Sequence, residues 1–331
     1  MLRIGIAGYG KIGKIRHENL KKEPACKVVA IFDAYIDFEV QDDIIKCKDY
    51  EELLSSDIDA VFICTYNDTL VNFSKSALQK NIHVFCEKPP ARNVKELMSL
   101  YSVYKSGNSI LKYGFNHRYH YSVIEAKKII QEGKMGKLLW MRGVYGKAGS
   151  IDFKSNWRNY KNISGGGILI DQGIHMLDLF RYLSGLEFIV KASVVKNLYW
   201  DIEAEDNVFA LLSSNNTIAS IHSTATQWKH KFSLEMTFEN GYLNLDGILS
   251  ATRSYSPERL VVGYKSTENV EFAMGKPTES ISTYEIDSSW HLEIKEFLNA
   301  IISDQKISHG TIEDALKNLE LIEKIYNASN E

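Results

Sequence analysis

Short apolar runs separated by helix-like stretches fill the first third of the chain: LRIGIAG (2–8), KVVAIFD (27–33), DAVFICT (59–65), IHVFCEKP (82–89) and SILKYGFN (109–116). Helix-like segments lie around 50–55, 68–80 and 93–106, and an earlier one carries Lys11, Lys14 and His17 on its polar side. Continuous apolar strands alternating with helices require a sheet covered on both faces, which means a parallel, doubly wound sheet. Ligands of such sheets sit beyond the carboxyl ends of the strands. At the first of those ends stands GYGKIG, with Gly8, Gly10 and Gly13 in the G-x-G-x-x-G spacing between a strand and a helix. Small residues there let the backbone turn tightly and approach a pyrophosphate, and the helix N-terminus offers N–H groups and a favourable dipole. Asp33 closes the second strand, 20 residues after Gly13, where a carboxylate accepts from ribose hydroxyls. The same letters begin a P-loop, but Ile15 follows Lys14 where that motif needs Ser or Thr to hold magnesium. The expectation is a dinucleotide, not a nucleoside triphosphate.

The period then changes. After a helix-like stretch at 119–136, alternating strands run over 137–146, 190–200, 207–214, 217–226 and 232–247, the last interrupted by the hairpin signal Glu239-Asn240-Gly241. Period-2 strands without intervening helices predict an antiparallel sheet with one covered face. Helix-like segments at 290–303 and 311–327 close the chain, and no internal repeat or low-complexity linker marks a boundary. The change of period places the division near 118, giving domains 1–118 and 119–331, as 331 residues suggest.

A net charge of -3 gives no electrostatic case for a nucleic-acid or anionic-membrane partner. No apolar run approaches a membrane span, and MLRIGIAGYG lacks the parts of a secretory signal. Cys26, Cys47, Cys64 and Cys86 have no paired spacing and read as reduced thiols of a cytoplasmic protein.

The segment GGGILIDQGIHMLDLF (165–180) is apolar on nearly every side, as a buried helix would be. Yet Asp171, His175, Asp178 and Tyr182 fall within roughly 60° of one another at about 100° per residue. A buried carboxylate beside an imidazole is expensive unless paired. The preceding glycines let the chain approach something closely, so Asp171 and His175 are read as lining a site, while Asp178 and Tyr182 are read as structural. Lys88 follows the strand IHVFCE and precedes Pro89 and Pro90, which stiffen the backbone that presents it. A cation there polarises a substrate oxygen or passes a proton.

Taken in order, the dinucleotide glycines, CEKPPA, GFNHRY, NWR and GGGILIDQGIHMLD resemble the glucose–fructose oxidoreductase/inositol dehydrogenase (Gfo/Idh/MocA) family over essentially the whole chain, including the closing TIEDALKNLELIEKIYNAS. The resemblance implies an α/β fold: an N-terminal Rossmann domain holding NAD, and a C-terminal α+β domain whose large open antiparallel sheet binds a sugar or cyclitol and commonly makes homodimer or homotetramer contacts. It also implies that Lys88, Asp171 and His175 are catalytic. Where relatives often have Thr-Pro and then a histidine, this chain has TYNDTL (65–70). The candidate cofactor contacts are Gly8, Gly10, Lys11, Ile12, Gly13, Asp33, Thr65, Asn67, Glu87 and Lys88. NAD is expected over NADP, because Asp33 repels a 2′-phosphate and no Arg or Lys follows it in AYI.

Asn116, Arg118, Trp157, Arg158 and Tyr160 are candidate substrate contacts together with Asp171 and His175, since sugars are held by planar polar groups and aromatic faces. His117, His120, His222, His230 and His291 show no metal-ligand spacing, and no metal is expected. The reading is an NAD-dependent oxidoreductase acting on CH–OH groups of a sugar, nucleotide sugar or cyclitol. His175 takes the hydroxyl proton, an imidazole of unperturbed pKa near about 6.5 being suited to it. Lys88 polarises the oxygen and Asp171 orients both. Two rivals stand beside it: a glycosidase that oxidises and re-reduces its sugar within one turnover, and a ligand-sensing regulator without catalysis.

Overall fold

The computed structural model describes residues 1–40, 43–149, 153–265 and 277–329. The chain divides into two compact units, one of residues 1–116, 160–165 and 290–320, the other of 117–159, 166–289 and 321–331.

In the first unit the chain alternates as expected: β1 (Leu2–Ala7), α1 (Lys11–Leu20), β2 (Cys26–Phe32), β3 (Ile45–Cys47), α2 (Tyr50–Leu54), β4 (Ala60–Ile63), α3 (Asn67–Gln79), β5 (His83–Cys86), α4 (Val94–Lys105) and β6 (Leu111–Tyr113). The strands form one parallel sheet in the order β3-β2-β1-β4-β5-β6, which is the order of a Rossmann fold. The central strands are buried on both faces, with all four residues of β4 inaccessible, so the continuous apolar runs were a faithful signal. The three-residue β3, with a lysine at its centre, carried too little pattern to be read. Local chemistry sets the helix starts: Asp49 accepts from Glu52 N at α2 while Glu52 accepts from Lys48 N, and Asn93 with Glu96 repeats the arrangement at α4.

In the second unit, α5 (Tyr121–Gln131) and β7 (Leu138–Gly146) come first; the short α6 (Lys161–Ser164) that follows in sequence belongs to the first unit. Next come a π-helical turn (Leu169–Gly173), α7 (Ile174–Ser184), β8 (Ile189–Lys196), β9 (Asn207–Ser214), β10 (Thr217–Thr224), β11 (Lys231–Phe238), β12 (Gly241–Asp246), β13 (Glu258–Tyr264) and β14 (Glu279–Tyr284). Their sheet runs β14-β13-β12-β11-β7-β10-β9-β8 and is antiparallel except for the pairing of β7 with β10. On one face α7 lies so close to β7 that a Cβ on Gly143 would meet Met176 Cγ at 2.6 Å and Phe180 Cε1 at 2.9 Å. The other face stays exposed along β8, β9 and β10 at Val194, Phe209, Leu211 and Ile218.

The closing helices are α8 (Ser289–Ile302) and α9 (Ile312–Ala328). Residues 290–320 and 160–165, expected with the second domain, belong to the first unit. The reason is apolar burial: Ile294, Phe297 and Leu298 of α8 complete the core around Ile4, Ile6, Phe62 and Phe85, with Phe297 edge-on to both phenylalanines at 5.6 Å.

Candidate functional site

Each unit presents its own cluster of chemistry. In the first, the glycine loop joins β1 to α1. Gly8 has φ +89°, and a Cβ on it would stand 2.6 Å from Cys64 O; a Cβ on Gly13 would stand 2.0 Å from Gly8 O. Gly10, in contrast, has among the described residues only Ile36 Cδ1 within reach, at 3.5 Å, and no described side chain caps α1. The loop is therefore closed towards the protein and open at Gly10, next to helix N–H groups, as an approaching phosphate requires. Lys11 and Ile12 open the helix beside it.

Asp33 follows β2 and accepts from three backbone N–H groups, Tyr9 at 2.6 Å, Tyr35 at 2.8 Å and Ile36 at 2.9 Å. An ionised carboxylate has about four lone-pair sites. One acceptor site thus remains for a ribose hydroxyl. Asp33 borders a cleft of about 110 Å³ lined by Gly8, Gly10, Tyr35, Ile36, Thr65 and Tyr66 among others. Tyr35 and Tyr66 stack at 5.3 Å with 18° between their planes. Sequence reasoning missed both tyrosines as cleft residues; an aromatic two positions after the ribose acid was the available signal. These features fit a dinucleotide.

Other predicted contacts have partners or neighbours within the protein. Asn67 donates from Nδ2 to Ser164 O at 2.9 Å and is buried. Glu87, expected at the cofactor, is instead held by Arg16, with Nε and Nη2 each 2.7 Å from Oε1. Arg16 is fully buried between the rings of Phe85 and Trp290 and reaches Glu293 at 2.8 Å. That pairing makes Glu87 a support for the strand end. Lys88, immediately after it, is half-buried and joined to Pro89 by a cis peptide.

In the second unit the glycine run has a different explanation from the one expected. A Cβ on Gly166 would meet Tyr326 Oη at 2.4 Å, and one on Gly167 would meet Glu205 O at 2.1 Å. These glycines make room for the protein itself. The buried Glu205 carboxylate accepts from Gly167 N, Leu169 N and Tyr326 Oη, at 2.8, 3.1 and 2.8 Å, and so anchors the start of the helical segment. Burial pushes the Glu205 carboxyl up, the bonds from Tyr326 and the backbone only partly offsetting it.

Asp171 lies in the π turn and His175 in the first turn of α7. Asp171 accepts from Arg158 Nε at 3.2 Å and from Gln172 Nε2 at 3.0 Å, and Lys147 Nζ stands 3.9 Å away. The His175 ring is stacked on His117 at 3.8 Å, with 15° between planes, and His117 Nε2 lies 2.9 Å from Tyr145 Oη. Burial, with Tyr255 and Asp171 nearby, pushes the Tyr145 hydroxyl well up, so it stays protonated. Trp157 lies under Arg158, whose guanidinium is 4.4 Å from the ring centroid. Tyr145 and Lys147 were not singled out from the sequence, because only folding brings β7 beside α7, and His117 was weighed there only as a metal ligand.

The lower half of the stripe is structural, as expected. Asp178 is fully buried and pairs bidentately with Arg118 at 2.6 and 2.7 Å, and the guanidinium lies 4.9 Å from the Tyr182 ring. Arg118, expected as a substrate contact, is buried and gives two of its donors to a buried carboxylate. Asn116 is buried in the 3₁₀ turn Asn116–Tyr119, and Tyr160 is exposed ahead of α6 in the first unit. Among the described residues no group of three or more His, Cys, Asp or Glu is arranged for a metal, and no helix is long and apolar enough to cross a membrane.

Residues 2–115 match the family model described as "Oxidoreductase family, NAD-binding Rossmann fold", and residues 123–244 match the "GFO/IDH/MocA C-terminal domain". The chain belongs to the Gfo/Idh/MocA family, whose Rossmann domain binds NAD. It is 38% identical over 131 residues to levoglucosan dehydrogenase of Pseudarthrobacter phenanthrenivorans, covering 39% of this chain and 34% of the relative. It is 32% identical over 192 residues to myo-inositol 2-dehydrogenase of Thermotoga maritima, covering 56% of each. The matched stretches thus span between about a third and a little over half of these relatives' lengths. In structure, levoglucosan dehydrogenase in complex with NADH and levoglucosan matches with a TM-score of 0.86 at 22% identity, over 99% of this chain and 97% of that one. The aldose-aldose oxidoreductase from Caulobacter crescentus matches with a TM-score of 0.83 at 20% identity, over the same shares. These likenesses show the fold.

Proposed function

We propose that the chain is an NAD-dependent oxidoreductase moving a hydride between nicotinamide and a ring carbon of a sugar, nucleotide sugar or cyclitol. The observation that carries the reading is the cradle at the end of β1, closed at Gly8 and Gly13, open at Gly10 and bounded by Asp33. The relatives' names add the substrate class, levoglucosan and myo-inositol being hydroxyl-bearing rings. Bound NAD supplies the hydride acceptor or donor. In the oxidative direction His175 receives the hydroxyl proton as the C–H bond breaks, and the oxygen becomes a carbonyl. Stacking on His117 fixes the His175 ring plane. Lys88 polarises the reacting oxygen. Asp171, set by Arg158 and Lys147, orients the substrate hydroxyls, and Arg158 with Trp157 holds the ring. The four thiols are unpaired, which supports a reducing, cytoplasmic setting. The apolar open face of the second sheet supports a homo-oligomer.

The test is a screen of sugars, cyclitols and nucleotide sugars for growth of the NADH absorbance band, followed by His175→Ala and Lys88→Met. Each substitution is expected to lower kcat by about a hundredfold or more while NAD still binds. A folded, NAD-binding His175→Ala protein with near-native turnover removes the histidine from the reaction. No NADH with any substrate class overturns the reading itself.

A further inference from the structure

An aromatic group continues outward from the Asp171 cluster with no part in the reaction just described. Phe153 borders the small cavity that also holds Lys147, Arg158 and Asp171. Trp200 lies against Phe153 at 4.5 Å, and its indole Nε1 donates to Ala225 O at 2.9 Å. Beyond Trp200 come Tyr199 at 5.2 Å and Trp228 at 6.0 Å, themselves 4.8 Å apart. Tyr199 is 61% and Trp228 60% exposed.

Large aromatics left in water on flexible loops would be unremarkable, but these loops are held. The fully buried Asp206 carboxylate accepts from Leu198 N at 2.8 Å, Tyr199 N at 2.8 Å and Trp200 N at 3.0 Å. Trp228 sits at φ +56°, a conformation that costs a bulky side chain free energy and persists only where its surroundings impose it. A Cβ on Gly149 would stand 1.7 Å from Trp200 Cζ2, so that backbone also yields to the indole. A pre-organised aromatic surface binds flat apolar ring faces at little ordering cost. The cations of the cavity, Lys147 and Arg158, already flank Asp171.

We propose that Tyr199, Trp200 and Trp228 form a subsite for a second, uncharged ring, so that the preferred substrate is a glycoside carrying an aryl or sugar aglycone, not a free monosaccharide. This rests on the oxidoreductase reading above. The aglycone stacks on the shelf while the oxidised ring occupies the Asp171 cluster.

Two measurements keep the proposal and that reading apart. Calorimetry on the NADH-loaded protein compares methyl with phenyl glycosides of a panel of hexoses and requires no turnover. At least one phenyl glycoside is expected to bind about tenfold or more tighter than its methyl counterpart, and Tyr199→Ala with Trp228→Ala is expected to erase that ratio. Steady-state assays then read the same ratio in kcat/KM. Equal binding of methyl and phenyl glycosides, or a preference that survives in the double variant, overturns the shelf whether or not NAD is reduced. Tighter binding of a nucleotide sugar than of any phenyl glycoside overturns it in favour of a charged aglycone. Sedimentation supplies the last arm: if the double variant breaks an oligomer that the wild-type protein forms, a second copy covers these rings and the subsite is withdrawn.

Discussion

Asp33 shows how one side chain carries two duties. Its three backbone partners hold the glycine loop to the segment after β2, and its remaining acceptor site is the one proposed for the ribose. A 2′-phosphate brings negative charge up to a carboxylate that only accepts, so NAD is expected to bind better than NADP. Asp33→Ala is expected to narrow the ratio of the two dissociation constants by about tenfold, ~1.4 kcal/mol. Equal calorimetric affinities in the wild-type protein would remove the argument. The acid and its spacing were legible in the sequence. The Arg16–Glu87–Glu293 cluster was not, since nothing local to Glu87 announces a partner on α1 and another on α8. Burial pushes the Glu293 carboxyl up to about 7, with Glu87 adding to the rise and Arg16 and Lys112 opposing it, against an ordinary value of 4.5. Unfolded chains release that proton from pH 4.5 upward while the native state keeps it to about 7, so the residue's contribution to stability falls across this window and is level above it. Urea unfolding at pH 5, 6 and 7 should therefore show Glu293→Gln gaining on the wild-type protein as pH rises. A constant difference would mean that Arg16 keeps Glu293 ionised throughout.

At the scale of elements, the π turn separates what periodicity reveals from what it hides. An apolar helix with a polar stripe was legible in residues 165–180, and Asp178 with Tyr182 proved structural as expected. The π turn around Asp171 was not, because a widened hydrogen-bond register leaves no mark on residue spacing. The glycines signalled a close approach but could not say to what, and the answer is Tyr326 and Glu205. Gly167→Ala would drive its Cβ to 2.1 Å from Glu205 O, a backbone atom with little room to move. The expected cost is ~3 kcal/mol or more, seen as a lowered melting temperature. Because Glu205 anchors the turn that carries Asp171, kcat/KM per folded molecule should fall as well. A variant that melts and turns over normally would show that the segment relaxes without displacing Asp171.

Across the whole molecule, the two kinds of sheet were legible because a two-face-buried strand and a one-face-buried strand differ in period. The chain's return to the first unit was not, since α8 is simply an amphipathic helix until its partner is known. The open face raises the remaining question of scale. Alternation turns Val194, Phe209, Leu211, Ile218 and Trp140 outward on neighbouring strands, with Val194 opposite Phe209 and Ile218 opposite Trp140. Phe209 stacks flat on His222 at 3.8 Å, which keeps the surface even. Each large apolar side chain moved out of water contributes about 1.5–3 kcal/mol, and a contiguous apolar patch of this kind marks an interaction surface. A second copy offers the same flat face, and a two-fold axis lets each patch cover the other. The wild-type protein is accordingly expected to sediment as a dimer or tetramer at micromolar concentration. Phe209→Glu with Leu211→Lys is expected to shift it to monomer with its circular dichroism and NAD affinity retained, since the dinucleotide residues belong to the other unit. A monomeric wild-type protein, or an assembly indifferent to both substitutions, would mean that this face is not where copies meet.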